Sequence, residues 1–168
     1  EKLVNWDTVL KTAISDLEVD QREMNSKIYY IRYPIDKSSE FITIATTRPE
    51  TMLGDTAIEV NPKDKRYKSF VGKTVTIPIV GRKIKIIKDN YADPEQGTGA
   101  LKITPAHDFN DYDVGQRNKL EIINVFTEEG KINENAPKDY VGLDRFDARK
   151  KILNELQEKD FFVKEENI

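Results

Sequence analysis

A single histidine stands in this chain, and it stands beside acid. ITPAHDFNDYDVG, residues 103–115, carries His107, Asp108 and Asp111. An imidazole flanked by carboxylates suggests a metal site, or a general base with an orienting acid. Both readings are weak. Catalytic zinc usually takes two or three histidines, and the chain has one His and no Cys. Magnesium through Asp alone is possible but unspecific. None of Ser15, Ser26, Ser38, Ser39 and Ser69 stands on the sharp turn that a nucleophilic serine needs. A plain structural role competes with both. Asp108-x-x-Asp111 fits a helix N-cap with an acidic third residue, both near the positive end of the dipole, and Pro105 suits the first turn. At i, i+3 the two acids share a face, and two carboxylates exceed what one cap requires. His107 itself reads as a packed, hydrogen-bonded histidine.

Two neighbouring segments supply more polar groups. In ALKIT, side chains alternate, so Lys102 and Thr104 point together toward whatever Asp108 and Asp111 flank, with Leu101 and Ile103 behind. Gly97 and Gly99 just before it permit tight backbone and close ligand approach. TTRPETMLGDTA, 46–57, follows a hydrophobic run. There Thr46, Thr47 and Thr51 offer hydroxyls, and Arg48 offers a planar cation suited to phosphate or carboxylate. A solvated strand face and a polar loop are the bland readings of these two segments.

These groups need elements to position them. Residues 27–35, 40–47, 56–60, 100–104 and 121–127 read as strands, and VTIPIV with RKIKIIKD reads as a hairpin near Gly81. Pro78 makes its first arm irregular. Residues 62–70 have helical composition with Gly72 as a stop, and a short helix is expected around 108–118. DRFDARKKILNELQEK, 144–159, is the clearest helix, with Asp144 as N-cap and Phe146, Ile152, Leu153 and Leu156 on one face. FFV reads as a last strand, residues 89–99 as a loop, and 5–20 as an extended opening segment. Many short strands, few helices and no βαβ alternation predict an α+β fold with a bent, barrel-like mixed β core and a few peripheral helices, not a Rossmann fold.

At 168 residues the chain suits one domain, and its 34% charged residues suit a well-solvated surface. The absence of cysteine excludes disulfides and thiolate nucleophiles, and is compatible with a cytoplasmic protein. No apolar run approaches the roughly 20 residues that span a bilayer, and EKLVNW has neither the basic nor the apolar region of a signal peptide. A net charge of −3 is unlike a self-sufficient nucleic-acid binder, so contact with nucleic acid is expected to be local or shared with a larger protein.

Together, TTRPETMLGDTA and GTGALKITPAHDFNDYDVG resemble the editing domain of valyl-tRNA synthetases, the insertion also called connective peptide 1. LVNW and TAISDLEV resemble the family's opening segment, and VGLDRFDARKKILNEL its closing helix. Isoleucyl relatives usually have TTTPWT in the first motif, and leucyl relatives typically have Asp where this chain has Glu50. NWDTVLKTA lacks the cysteines many relatives carry, which argues against zinc there.

The resemblance implies one domain, 1–168, excised from a larger cytoplasmic synthetase and monomeric in isolation. It implies deacylation of Thr-tRNA(Val) by water attack on the 3′-terminal ester. Asp111 would hold the α-ammonium, and Asp108 would read the threonine hydroxyl with Thr47 or Thr51, Thr46 lying alongside. Arg48, Lys102 and Thr104 would position the ribose, the phosphate or the ester carbonyl, with Lys102 also serving the oxyanion. Partners would be the tRNA(Val) acceptor end and the synthetase body, without a membrane. No cofactor or metal is expected here, ATP and Mg²⁺ belonging to the parent enzyme's synthetic site. KDKRYK and RKIKIIK are candidate acceptor-end contacts or plain solvated surface. The rivals are an isoleucyl or leucyl editing domain, a non-catalytic tRNA-binding module, and a metal-dependent hydrolase built on His107, Asp108 and Asp111.

Overall fold

The structure is a computed structural model that describes residues 27–168; the opening segment read at 5–20 lies outside the described residues. Strand β1 (Lys27–Pro34) buries Tyr29, Ile31 and Tyr33 and turns the intervening side chains to its other face, as period-two patterning requires. It lies between β2 (Phe41–Thr46) and a C-terminal strand, Phe162–Asn167, antiparallel to both. In the second sheet, β3 (Ala57–Val60) is central, parallel to β5 (Lys83–Lys88) and antiparallel to β6 (Ala100–Ile103). The short β4 (Thr74–Thr76) pairs with the outer side of β5, giving the order β4-β5-β3-β6. The C-terminal strand is β7 in chain order. A bridge between Ile35 and Val75 joins the two sheets, and β2 lies against β6.

The sheets thus bend around one core, in which Ile31, Tyr33, Ile42, Ile44, Ile58 and Val75 are buried, without closing into a barrel. This is the α+β, bent, barrel-like architecture expected. Helix α1 (Phe109–Asn118) covers the outer face of β6, where Ile103, Ala57 and Val114 form a second apolar cluster. Helix α2 (Arg145–Glu158) packs on the Pro49–Gly54 turn, a 3-10 segment. Asp144 caps α2 by accepting from the Phe146 and Asp147 amides, as its sequence predicts.

Three expectations fail for tertiary reasons. Residues 121–127 form no strand; only Phe126 bridges, to Ile132. Their backbone is met by side chains instead: Val125 N–H donates to His107, and the Asn124 carbonyl accepts from the Asn133 and Asn135 amides. The helix read at 62–70 is a six-residue 3-10 segment, Lys65–Phe70, opened by Asp64, whose carboxylate caps Arg66 N–H. Pro105 is not in the first helical turn. Asp108 is extended and the helix starts at Phe109, while Pro105 lies in a turn closed by His107 N–H to Thr104 O and packs against Gly115.

The face α2 buries is not purely apolar. Alongside Ala148, Ile152 and Leu156 it buries Arg145 and Arg149. Both reach Glu50, which is fully buried: Arg149 Nε lies 2.7 Å from Oε1, and Arg149 Nη2 and Arg145 Nη2 lie 2.9 and 2.8 Å from Oε2. Burial alone would raise the Glu50 carboxyl, but the two guanidiniums outweigh it and hold it at about 2. Removing one member of a buried charge cluster leaves its partners unpaired in a dry interior. Glu50→Ala is therefore expected to cost about 3–5 kcal/mol of stability at pH 7, measured by urea unfolding. Because the folded value of about 2 lies below the ordinary 4.5, Glu50's contribution is complete above pH 4.5 and disappears as pH falls toward 2. Acid titration of stability should show that sign.

Candidate functional site

The Pro49–Gly54 turn, the end of β2, β6 and the start of α1 converge on one cavity of about 290 Å³. Gly54 lets the turn pack closely on the 121–127 segment behind it, since a Cβ there would sit 2.8 Å from the Ile123 carbonyl. The eight side chains to which the sequence gives a substrate role line the cavity: Thr46, Thr47, Arg48, Thr51, Lys102, Thr104, Asp108 and Asp111. The rest of the wall comes from groups the sequence did not single out, among them Ile28, Tyr91 and Gln96, and from Gly97, whose φ of +55° a side chain rarely tolerates.

On the floor, Lys102 is buried and its ammonium is fully engaged. It lies 2.7 Å from Asp55 Oδ1, 2.9 Å from Thr51 Oγ1 and 2.5 Å from Thr104 Oγ1. Three contacts use its three N–H donors. Asp55, itself fully buried, also accepts from the Thr104 hydroxyl at 2.8 Å and the Tyr33 hydroxyl at 2.5 Å. Burial pushes the Asp55 carboxyl up, and Lys102 foremost opposes it. The Thr51 hydroxyl in turn donates to the Arg48 carbonyl. The alternation of ALKIT predicts that Lys102 and Thr104 share a face. Asp55 and Tyr33 were missed, and the only available signal was an acid lying between a glycine and a buried strand.

At the wall, Arg48 donates to the His107 carbonyl at 2.9 Å and to Asp108 Oδ2 at 3.1 Å. Asp108 Oδ1 accepts the Asp111 amide at 3.0 Å, so it is the N-cap of α1 and an ion-pair partner at once. Asp111 Oδ2 accepts the Thr104 amide at 2.9 Å, and no described residue hydrogen-bonds Oδ1. Burial, and then the Asp108 carboxylate, raise Asp111 to about 7. Thr46 Oγ1 accepts the Arg48 amide, whereas the Thr47 hydroxyl has no partner among the described residues.

His107 does not join the site. It is fully buried, its Nε2 accepts the Val125 amide at 3.1 Å, and its ring stands edge-on to Phe126. Burial, followed by the charges of Arg48, Arg145 and Lys102, lowers it to about 3. A neutral imidazole whose lone pair is already engaged is neither base nor ligand, so a hydrolytic metal triad with Asp108 and Asp111 is not assembled. The basic segments also stand apart from the cavity. Arg66 pairs with Asp64, Arg82 donates to the Leu53 and Asp55 carbonyls, and Lys83 pairs with Asp36. No described helix is long and apolar enough to cross a membrane.

The sequence family described as leucyl-tRNA synthetase, editing domain, matches residues 61–145. The chain is 82% identical over 168 residues, all of its length, to a valine–tRNA ligase of Pelagibacter ubique, and spans 19% of that protein. It is 54% identical over 165 residues to the valine–tRNA ligase of Thermotoga maritima, covering 98% of this chain and 19% of that one. The chain thus spans about a fifth of the length of these relatives. Among solved structures it is similar to an Agrobacterium radiobacter K84 leucyl-tRNA synthetase in ternary complex with tRNA and LeuAMS. The TM-score is 0.67 at 21% identity, over 96% of this chain and 24% of that one. It also matches a leucyl synthetase connective-peptide domain, GlLeuRS-CP1, with a TM-score of 0.63 at 12% identity, over 84% of this chain and all of the other. At such identities the likeness is one of fold.

The Asp108–Asp111 pair yields a test independent of any substrate. Carboxyl-resolved NMR should find the Asp111 titration near pH 7, and Asp108→Asn should move it to lower pH by removing the like charge. An unchanged midpoint would show that the neighbouring acid does not set it.

Proposed function

The chain belongs to the editing-domain family of class I tRNA synthetases, and from that membership and the chemistry of its cavity we propose that it hydrolyses the ester of threonine mischarged on tRNA(Val). It would act in the cytoplasm as one domain, residues 1–168, of a larger synthetase, taking the 3′ acceptor end passed from the synthetic site. The relatives named valine–tRNA ligase and the tRNA in a structural neighbour support this reading.

A second site is needed because valine and threonine have nearly one shape. A hydrophobic pocket cannot strongly reject an isostere that only adds a hydroxyl, and the valyl enzyme is itself the standard illustration. A polar cavity reverses the preference. Valine would leave its buried polar groups unpaired.

The observation that carries the proposal is Asp111 Oδ1, an acceptor that no described residue hydrogen-bonds, in a small cavity lined with hydroxyls. It is the oxygen offered to the α-ammonium, and the arriving cation favours the ionised carboxylate. Thr47 and Asp108 would take the threonine hydroxyl, a role supported by a Thr47 hydroxyl that no described residue engages and by the Asp108 oxygen that meets Arg48 at the cavity. Thr46 and Thr51 complete that side. Arg48 and Thr104 flank the ester carbonyl and the ribose.

Lys102 holds the Thr51 and Thr104 hydroxyls in fixed orientations and adds positive charge beneath the carbonyl. Direct donation to an oxyanion would require it to release one of its three contacts. Water adds to the ester carbon, the tetrahedral oxyanion collapses, and the ribose oxygen leaves with a proton, giving free threonine and uncharged tRNA. An aminoacyl ester is reactive enough that positioning supplies most of the acceleration, with the vicinal ribose hydroxyl assisting. Neither metal nor covalent intermediate is required.

Asp111→Ala removes a charge-assisted hydrogen bond to the ammonium. In the full-length protein it should lower kcat/KM for Thr-tRNA(Val) hydrolysis by roughly 10- to 150-fold, with valylation intact. A wild-type rate would refute the assignment. Excess chelator should leave single-turnover deacylation unchanged; its abolition would mean that a metal takes part. Parallel assays with Val-tRNA(Val) and with mischarged tRNA(Ile) and tRNA(Leu) should show threonine on tRNA(Val) preferred, and a non-catalytic module would hydrolyse none of them.

A further inference from the structure

Glu59 is a charged residue in the middle of the central strand, and the chemistry above gives it no task. It is fully buried on β3, paired with Leu101 of β6, and Leu101 lines the cavity. A carboxylate in such a place needs a partner for each oxygen. Oε2 has one, the Ala92 amide at 2.7 Å, and that amide makes only a longer contact, 3.4 Å, with the Asp89 carbonyl. Oε1 has none.

The partner belongs to loop 89–99. From the other direction the Ala92 carbonyl accepts the Asn61 side-chain amide, so the end of β3 grips both polar groups of one peptide position. Asp89 anchors the start of the loop to Arg117 and Asn118 at the end of α1. Between these two anchors stands Tyr91, 42% exposed, on the cavity wall with Asp108 and Asp111.

We propose that Glu59 is a positioning residue for the editing pocket: by accepting the Ala92 amide it seats loop 89–99 so that Tyr91 forms the pocket's aromatic wall. Resting on the reading of this cavity as an editing site, the proposal adds the group that shapes its mouth, where the nucleoside of the substrate would lie against the ring. The grip depends on charge, because an ionised carboxylate is a stronger acceptor than a neutral acid. Among the described residues, Asp89 and Asp111 face Glu59 and disfavour its ionisation, and Arg117 favours it. Burial is the largest influence, and the carboxyl is raised to about 7. The seat therefore tightens as pH rises through neutrality.

The test has one readout that needs no substrate and one that does, both in the full-length protein. Hydrogen exchange of loop 89–99, corrected for intrinsic rates, should become more protected between pH 6 and 8 in the wild type. In Glu59→Gln, which keeps an acceptor of the same size, protection should be intermediate and flat with pH; in Glu59→Ala it should fall about tenfold. For Thr-tRNA(Val), Glu59→Ala should raise KM about five- to tenfold with kcat within twofold, Glu59→Gln should largely restore KM, and Glu59→Ala with Tyr91→Ala should be no worse than the poorer single variant. Loop protection that ignores pH and both substitutions overturns the seat. Altered protection with fully additive KM effects, or with a loss in kcat alone, overturns the role of Tyr91. A wild type that hydrolyses no mischarged tRNA while loop protection behaves as expected would instead overturn the editing reading and leave the seat standing. Should Glu59→Ala not fold, the pH response of the wild type against Glu59→Gln decides.

Discussion

The pocket depends on one buried ion pair. Lys102 and Asp55 face each other across 2.7 Å with almost no exposure to solvent. An ammonium and a carboxylate taken out of water are tolerable only when every other donor and acceptor on them is met. Here they are met by Thr51, Thr104 and Tyr33, which come from the 49–54 turn, the residue that follows β6 and the end of β1. Satisfying the pair therefore fixes these three segments relative to one another. The geometry of the floor follows from an electrostatic demand as much as from apolar packing.

Around that floor charge is cancelled in successive pairs. Glu50 is neutralised by Arg145 and Arg149, on the side of the turn away from the cavity, and Asp108 by Arg48 at its edge. Asp111 is where the cancellation stops. Its second oxygen meets only a backbone amide and its first meets no described group. A low-dielectric cavity whose uncompensated group is an acid selects a cation. In the function proposed above, the substrate ammonium would be the missing partner.

Much of this was legible in the sequence and some was not, for physical reasons. The strand composition of residues 27–35 and the Asp144 cap are local effects, and they read correctly. The cavity-lining residues were legible because two motifs place Thr46, Thr47, Arg48 and Thr51 on one loop, and Lys102, Thr104, Asp108 and Asp111 on one strand–helix junction. The failures are all tertiary. VFT and its neighbours have strand composition, yet their hydrogen bonds go to His107, Asn133 and Asn135, which lie elsewhere in the sequence. Glu50 and Asp55 look like ordinary loop acids until the arginines and the lysine that bury them are placed. Even the histidine that draws the eye first has its role set by a backbone amide 18 residues away.

The distances in sequence across these contacts have a kinetic meaning. Thr51 meets Lys102 across 51 positions, and Glu50 meets Arg149 across 99. Contacts of such separation form late, because chain closure must come before they contribute. Each half of the floor needs the other: the turn without β6 would leave Asp55 without its lysine, and β6 without the turn would leave Lys102 without its carboxylate. The floor of the pocket and the native topology are therefore coupled: whatever separates these distant segments also leaves buried charges unpaired.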